Sequence, residues 1–165
     1  LNTTTTGNAT LETSLIRLLT GRKQTFALAE SCTGGFIANR ITNVPGASAV
    51  FLGGIVAYSN DVKGKFLDVR AETLKQHGAV SETVSREMAE GARKKFSADF
   101  AIAVTGIAGP TGGTKDKPVG TVFIALAGEF ETMVERKLNF FEREKFKEVT
   151  AQQAFEMLRL KLSQV

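Results

Sequence analysis

The sequence predicts an α/β protein, a three-layer α/β/α sandwich built on a mixed five-stranded sheet. Apolar runs of strand length alternate with longer runs whose apolar positions recur at helical spacing. Two late apolar runs are separated only by Gly128 and Glu129, which makes them a hairpin and puts antiparallel strands in the sheet. At 165 residues, with 42% hydrophobic and 23% charged residues, the chain suits one globular domain, expected over 10–165.

The first helix covers 11–19, with Thr10 as its N-cap and Gly21 just past its end. Residues 25–29 form a short apolar strand. Phe36, Ile37, Ala38 and Ile41 then follow helical spacing, so 31–35 is a strand-to-helix turn in which Ser31 or Thr33 can cap the helix. The cluster at 43–48 breaks that helix. Residues 49–58 are expected as a second buried strand, with Gly53 and Gly54 marking a bulge or a close approach.

Ser59 or Asn60 caps a short helix carrying Lys63, Lys65 and Phe66, and 71–77 forms another that Gly78 ends. Ser81 caps a longer helix over 82–96, with Glu82 in its first turn and Arg93, Lys94 and Lys95 near its last, as the helix dipole favours. An apolar strand over 99–105 runs into a loop with four glycines between Gly106 and Gly113. Residues 119–127 read as a central strand. Residues 130–140 alternate and read as an edge strand. The last helix spans about 144–162, with Phe146, Val149, Ala154, Met157, Leu158 and Lys161 near one stripe.

Residues 1–9 read as a disordered polar tail with neither the basic nor the apolar region of a signal peptide. No apolar run approaches the ~18 residues of a membrane span. Cytoplasm is therefore the expected location, with no membrane partner. The net charge of +4 is dispersed among seventeen acids, which disfavours nucleic-acid binding. One cysteine, Cys32, and one histidine, His77, form neither an internal disulfide nor a standard zinc site, so no metal and no cofactor are expected.

Three segments fall at strand carboxyl ends, where open α/β sheets bind ligands: 30–35, 58–63 and 105–114. Ser31 opens a glycine-containing turn and is either a helix cap or a nucleophile near free backbone N–H groups. Cys32 is its rival, because a helix N-terminus stabilises a thiolate. Glu30 either hydrogen-bonds a ligand or supports the turn. A serine nucleophile needs a base, and His77 sits at a polar helix end. A desolvated lysine can serve, and Lys63 follows the second strand by one turn, with Tyr58 placed to relay a proton or orient it; the plainer reading makes both surface residues. The 105–114 loop resembles a phosphate cradle, without the lysine-bearing signature of triphosphate hydrolases.

Five segments together carry a resemblance: Ala29-Glu30-Ser31-Cys32-Thr33-Gly34-Gly35; Tyr58-Ser59-Asn60 with Lys63; Gly78-Ala79-Val80-Ser81 with Glu87-Met88-Ala89; Val104-Thr105-Gly106-Ile107-Ala108-Gly109-Pro110; and Lys117-Pro118-Val119-Gly120. In this order, across about 11–160, the chain resembles the CinA C-terminal domain family. That resemblance implies a metal-free amidase hydrolysing the carboxamide of nicotinamide mononucleotide to nicotinate mononucleotide and ammonia. It implies Ser31 as nucleophile, with Tyr58 and Lys63 as hydroxyl relay and general base. Thr105, Gly106 and Gly109 would hold the ribose phosphate, and backbone N–H groups of Thr33, Gly34 and Gly35 would meet the oxyanion or the ligand.

Arg143 is retained as a phosphate or carboxylate ligand, but Phe141 and Glu142 stand where the family often has glycine and aspartate, and Lys147 where a second arginine is common. Some members carry a larger N-terminal domain, so the chain is either a stand-alone enzyme or an excised domain. The competing expectation is a non-catalytic pyridine-nucleotide-binding or regulatory module using the same pocket. An edge strand beside Phe140 and Phe141 makes a homo-oligomer the expected assembly.

Overall fold

A computed structural model describes residues 9–164; of the tail expected over 1–9, only Ala9 lies among them. The five strands are β1 (Phe26–Glu30), β2 (Phe51–Val56), β3 (Phe100–Gly106), β4 (Thr121–Ala127) and β5 (Thr132–Leu138). They form one sheet in the order β2-β1-β3-β4-β5. β1 runs parallel to β2 and β3, while β4 is antiparallel to both β3 and β5. The sheet is mixed and five-stranded, as expected.

Alternation along the strands makes its two faces unlike. Phe26, Leu28, Ile102, Val104, Val122, Ile124 and Leu126 build one face, covered by α1 (Leu11–Arg22), α2 (Phe36–Thr42) and α6 (Arg143–Ser163). Ala27, Ala29, Ala101, Ala103, Ala125 and Ala127 build the other. On that alanine face α5 (Glu82–Phe96) packs across β1, β3, β4 and β5 through Val84, Met88, Ala89 and Ala92. α3 (Asn60–Leu67) and α4 (Ala71–His77) lie beside α5. Small side chains on the sheet let one helix approach closely, which is why a single helix covers four strands.

Local signals set most of these elements. Ser59 and Ser81 cap α3 and α5, each side chain accepting from the backbone three residues on. α5 has the bounds that its caps and charge gradient predict. Three expectations are corrected. α1 overruns Gly21 and ends in a left-handed Lys23, whose N–H satisfies the carbonyls of Leu19 and Thr20. β2 begins at Phe51, after a 3₁₀ turn over Ala47–Ala49, and it is an edge strand with alternate positions exposed, because the sheet ends at it. α2 is capped by neither Ser31 nor Thr33: its N-cap is Gly35, in the left-handed region, without a side-chain bond. No helix among the described residues is long and apolar enough to cross a membrane.

Candidate active site

β1, β2 and β3 end side by side, and the segments leaving them meet over the sheet's carboxyl edge. Ser31 follows β1 directly, its N–H donating to Val104 O at 3.0 Å. The adjoining turn is organised by Glu30, which is buried. Its Oε1 accepts from Thr33 Oγ1 at 2.7 Å and Ile37 N at 2.9 Å, and its Oε2 accepts from Ala38 N at 3.0 Å. The carboxylate thus takes the capping role at the start of α2, where the dipole favours a negative charge. Gly34 and Gly35 are left-handed, at φ 60° and 99°, which is how the chain turns sharply between Ser31 and the helix. Gly34 N donates to Ser31 O, while the N–H groups of Thr33 and Gly35 donate to no acceptor among the described residues.

Opposite Ser31 stands Lys63. Its side chain runs inward from α3 and is 1% exposed. Nζ lies 3.0 Å from Ser31 Oγ, 2.8 Å from Ala57 O and 3.4 Å from Tyr58 O. No carboxylate pairs with it among the described residues. Burial therefore pushes its pKa below the usual lysine value, with the neighbouring Cys32 pulling weakly the other way. A neutral amine has two N–H donors and one lone pair. As an ammonium, Nζ donates to Ala57 O, Tyr58 O and Ser31 Oγ; only the neutral form, its two donors on the carbonyls, has a lone pair for the Ser31 hydroxyl.

Cys32 is the poorer nucleophile. Burial, opposed by a hydrogen bond from its own backbone, raises its pKa to about 12, so it stays a thiol at neutral pH.

Ser31, Lys63 and Tyr58 line one cavity of about 290 Å³, closed by Ala79 and Val80 on the α4–α5 side and by Thr105 to Ala108, Thr111 and Gly112 of the glycine-rich loop. Arg143, at the start of α6, completes the wall. Lys63 and Arg143 are the basic residues of that lining, which contains no acid. Tyr58 is 63% exposed at the mouth, and its carbonyl contacts Lys63.

Of the residues singled out in the sequence, Ser31, Cys32, Tyr58, Lys63, Thr105, Gly106 and Arg143 come together in this cavity, whereas Glu30, Thr33, Gly34, Gly35 and Gly109 do not line it. Thr105 Oγ1 donates to Ala79 O at 2.8 Å and so holds the opposite wall. Gly109 is left-handed, at φ 82°, and a Cβ there would overlap Val119. Asn60, Ala79, Val80, Ile107, Thr111 and Gly112 line the cavity without having been singled out as site residues. The conspicuous Gly78 to Ser81 and 105–114 segments were the available signal. Lys147 also reaches this end of the molecule, its Nζ 4.0 Å from where a Cβ on Gly34 would sit.

The CinA C-terminal domain profile matches residues 8–162. The CinA-like protein of Pseudothermotoga lettingae is 57% identical over 123 residues, which is 74% of this chain and 30% of that protein. The CinA-like protein of Thermotoga maritima is 51% identical over 149 residues, 90% of this chain and 36% of that protein. The chain thus spans about a third of the length of these curated relatives. Among solved structures, the competence/damage inducible protein CihA of Agrobacterium tumefaciens superposes with TM-score 0.89 at 40% identity, covering 93% of this chain and 94% of that one. The competence damage-inducible protein A of Klebsiella pneumoniae does so with TM-score 0.90 at 36% identity, covering 93% and 96%. With the family profile spanning almost all of the described residues, this chain belongs to the CinA C-terminal domain family.

Proposed function

We propose that this chain is a cytoplasmic nicotinamide-nucleotide amidase that converts nicotinamide mononucleotide and water to nicotinate mononucleotide and ammonia. The observation that carries the reading is the buried 3.0 Å contact between Ser31 Oγ and Lys63 Nζ in a cavity whose charged lining is cationic. A Ser–Lys pair does acyl-transfer chemistry without histidine, provided the lysine is neutral. An anionic substrate suits a wall that presents Arg143 and no carboxylate.

In this reading Ser31 Oγ attacks the carboxamide carbon while Lys63 Nζ takes its proton. The carbonyl electron pair moves onto oxygen as the tetrahedral adduct forms. The tetrahedral adduct collapses, the C–N bond breaks, and Lys63 returns its proton to the leaving nitrogen, releasing ammonia. The acyl ester on Ser31 is then cleaved by water. Lys63 takes the water proton and passes it back to Ser31 Oγ, and the carboxylate product departs. Tyr58 at the mouth relays protons and borders the substrate. Glu30, whose oxygens are committed to α2 and Thr33, acts by holding the turn that carries Ser31. Arg143 pairs with the substrate phosphate at the edge of the glycine-rich loop.

The deciding assay incubates the purified chain with nicotinamide mononucleotide and measures ammonia; stoichiometric nicotinate mononucleotide must accompany it. Saturable nucleotide binding without ammonia release would replace this reading with a non-catalytic binding module. Exposed Phe140 and Phe141, next to the β5 edge, support a homo-oligomer, which light scattering checks.

A further inference from the structure

We propose that Gly91 and Glu87 on α5 are positioning residues for Lys63: they seat the carboxyl end of α3 and so set how far the lysine reaches toward Ser31. The inference rests on the Ser–Lys reading above and extends it to a second helix. α3 is only two turns long, so its placement depends on what its ends touch. Its last residue, Leu67, lies one turn beyond Lys63, and Lys63's own carbonyl accepts the closing bonds from Asp68 N and Val69 N, the latter at 3.2 Å. Lys63 therefore belongs to the turn that forms the helix end.

That end is pressed onto α5 at a point where only glycine fits. A Cβ on Gly91 would fall far inside van der Waals contact with Leu67 O, 2.7 Å from its carbonyl carbon and 3.1 Å from its Cα. All three are backbone atoms, so no rotamer change relieves the overlap: α3 must move as a body. One turn earlier on the same face of α5, Glu87 grips the chain leaving α3. Its carboxylate accepts from Arg70 N at 2.9 Å, Arg70 Nε at 2.9 Å and Thr73 Oγ1 at 2.8 Å. Burial pushes the Glu87 carboxyl up, but these hydrogen bonds outweigh it and hold its pKa below the usual value, so the grip is ionic at neutral pH. Glu87 sits in one of the segments that carry the family resemblance, yet it lies outside the cavity lining. A seat for α3 accounts for it there.

Moving α3 changes two things that a purely structural contact would leave alone. It lengthens the Ser31–Lys63 contact, and it lets water reach Nζ. The ionisable groups facing Lys63 are Cys32 from the β1–α2 turn, Tyr58 from the end of β2 and Arg143 across the cavity, with Asp61 on its own helix. Cys32 and Arg143 lie on other elements, Asp61 keeps its relation to Lys63 within α3, and Tyr58 is exposed at the mouth, so the change in solvation dominates.

The test compares Gly91→Ala and Glu87→Gln with wild type, and with Gly21→Ala as a control, since a Cβ on Gly21 meets nothing within 4 Å. Two readouts are taken: kcat and KM for nicotinamide mononucleotide against pH, and the titration of Lys63 followed by NMR of ¹³C-labelled lysine side chains. Gly91→Ala is expected to lower kcat on the order of 10- to 100-fold, the scale of a misplacement of about 1 Å, with KM within about twofold. The acid limb of kcat and the Lys63 titration should both move to higher pH. Glu87→Gln should move them the same way by less, and Gly21→Ala should match wild type. If Gly91→Ala does not fold, Glu87→Gln carries the test. Unchanged Lys63 titration in whichever of the two variants folds overturns the proposal. The NMR readout needs no substrate, so absence of ammonia in wild type would remove the amidase reading while this inference is still decided.

Discussion

In the proposed reaction Lys63 serves as the base because of where it is and not because of what surrounds it in sequence. An ammonium 1% exposed without a carboxylate partner is costly, and burial lowers the Lys63 pKa toward the neutral amine. Taking the Ser31 proton requires the neutral amine, so turnover rises with pH through the Lys63 titration, and burial places that rise below the ordinary value of 10.5. Lys63→Arg keeps a basic side chain but makes its charge permanent, because arginine does not deprotonate in proteins, and its fork does not fit the same three contacts. It should lower kcat by about 10³-fold or more and abolish the acid limb, as steady-state ammonia release across pH will show. Sequence alone offered Lys63 as a base for Ser31 but left the plainer reading of a surface lysine open. Ser31 and Lys63 are 32 positions apart, and only the parallel alignment of β1 and β2 brings their strand ends together. Resemblance named the pair in advance; periodicity did not. For Glu30 the sequence offered a ligand contact or support of the turn, and the choice was open because two of its donors lie seven and eight residues on, across a turn whose path depends on two left-handed glycines.

Elements with strong local signals were the legible ones. α5 announces itself through Ser81, Glu82 and a run of basic residues in its last turn, and its observed bounds match. β2 was harder, because an uncharged run such as Phe51–Val56 reads as buried whether or not a further strand covers its edge, and which strand ends a sheet is a property of topology. The glycine-rich loop after β3 shows how glycines divide between site and scaffold. Gly106 borders the cavity, yet its missing Cβ is needed on the other side, where Thr121 O would lie 2.8 Å away. Gly109 combines a left-handed backbone with contact on Val119. Gly109→Ala should destabilise the fold by about 1–3 kcal/mol or more, the usual cost of a side chain in that region plus the overlap. Urea denaturation will measure it, and a loss under ~0.5 kcal/mol would mean the loop is free to readjust.

At the scale of the whole molecule, the unlike faces of the sheet decide how the site is built. Large residues on one face hold α1, α2 and α6 at a distance that Phe, Leu and Ile can fill, while alanines on the other draw α5 down across four strands. α5 in turn supports α3, and α3 carries Lys63. The alternation of alanine with larger residues is visible in 26–29, 100–104 and 122–127, but its meaning requires knowing that these strands are neighbours in register. Ala103→Leu inserts three carbons on the alanine face that α5 covers. Overpacking of this kind costs about 1–3 kcal/mol, and thermal unfolding should show it, whereas a neutral effect would place unfilled space under α5.

The central claim is that Ser31 forms the bond to substrate with Lys63 as its base. Its most direct measurement is the rate of ammonia release from nicotinamide mononucleotide by Ser31→Ala beside wild type, under saturating substrate and with folding of the variant verified. Loss of the hydroxyl should lower kcat by a factor on the order of 10⁴ or more, as removal of a nucleophile does in related acyl-transfer sites. Turnover near the wild-type rate would contradict the account, because no other side chain in the cavity stands in contact with Lys63 as Ser31 does.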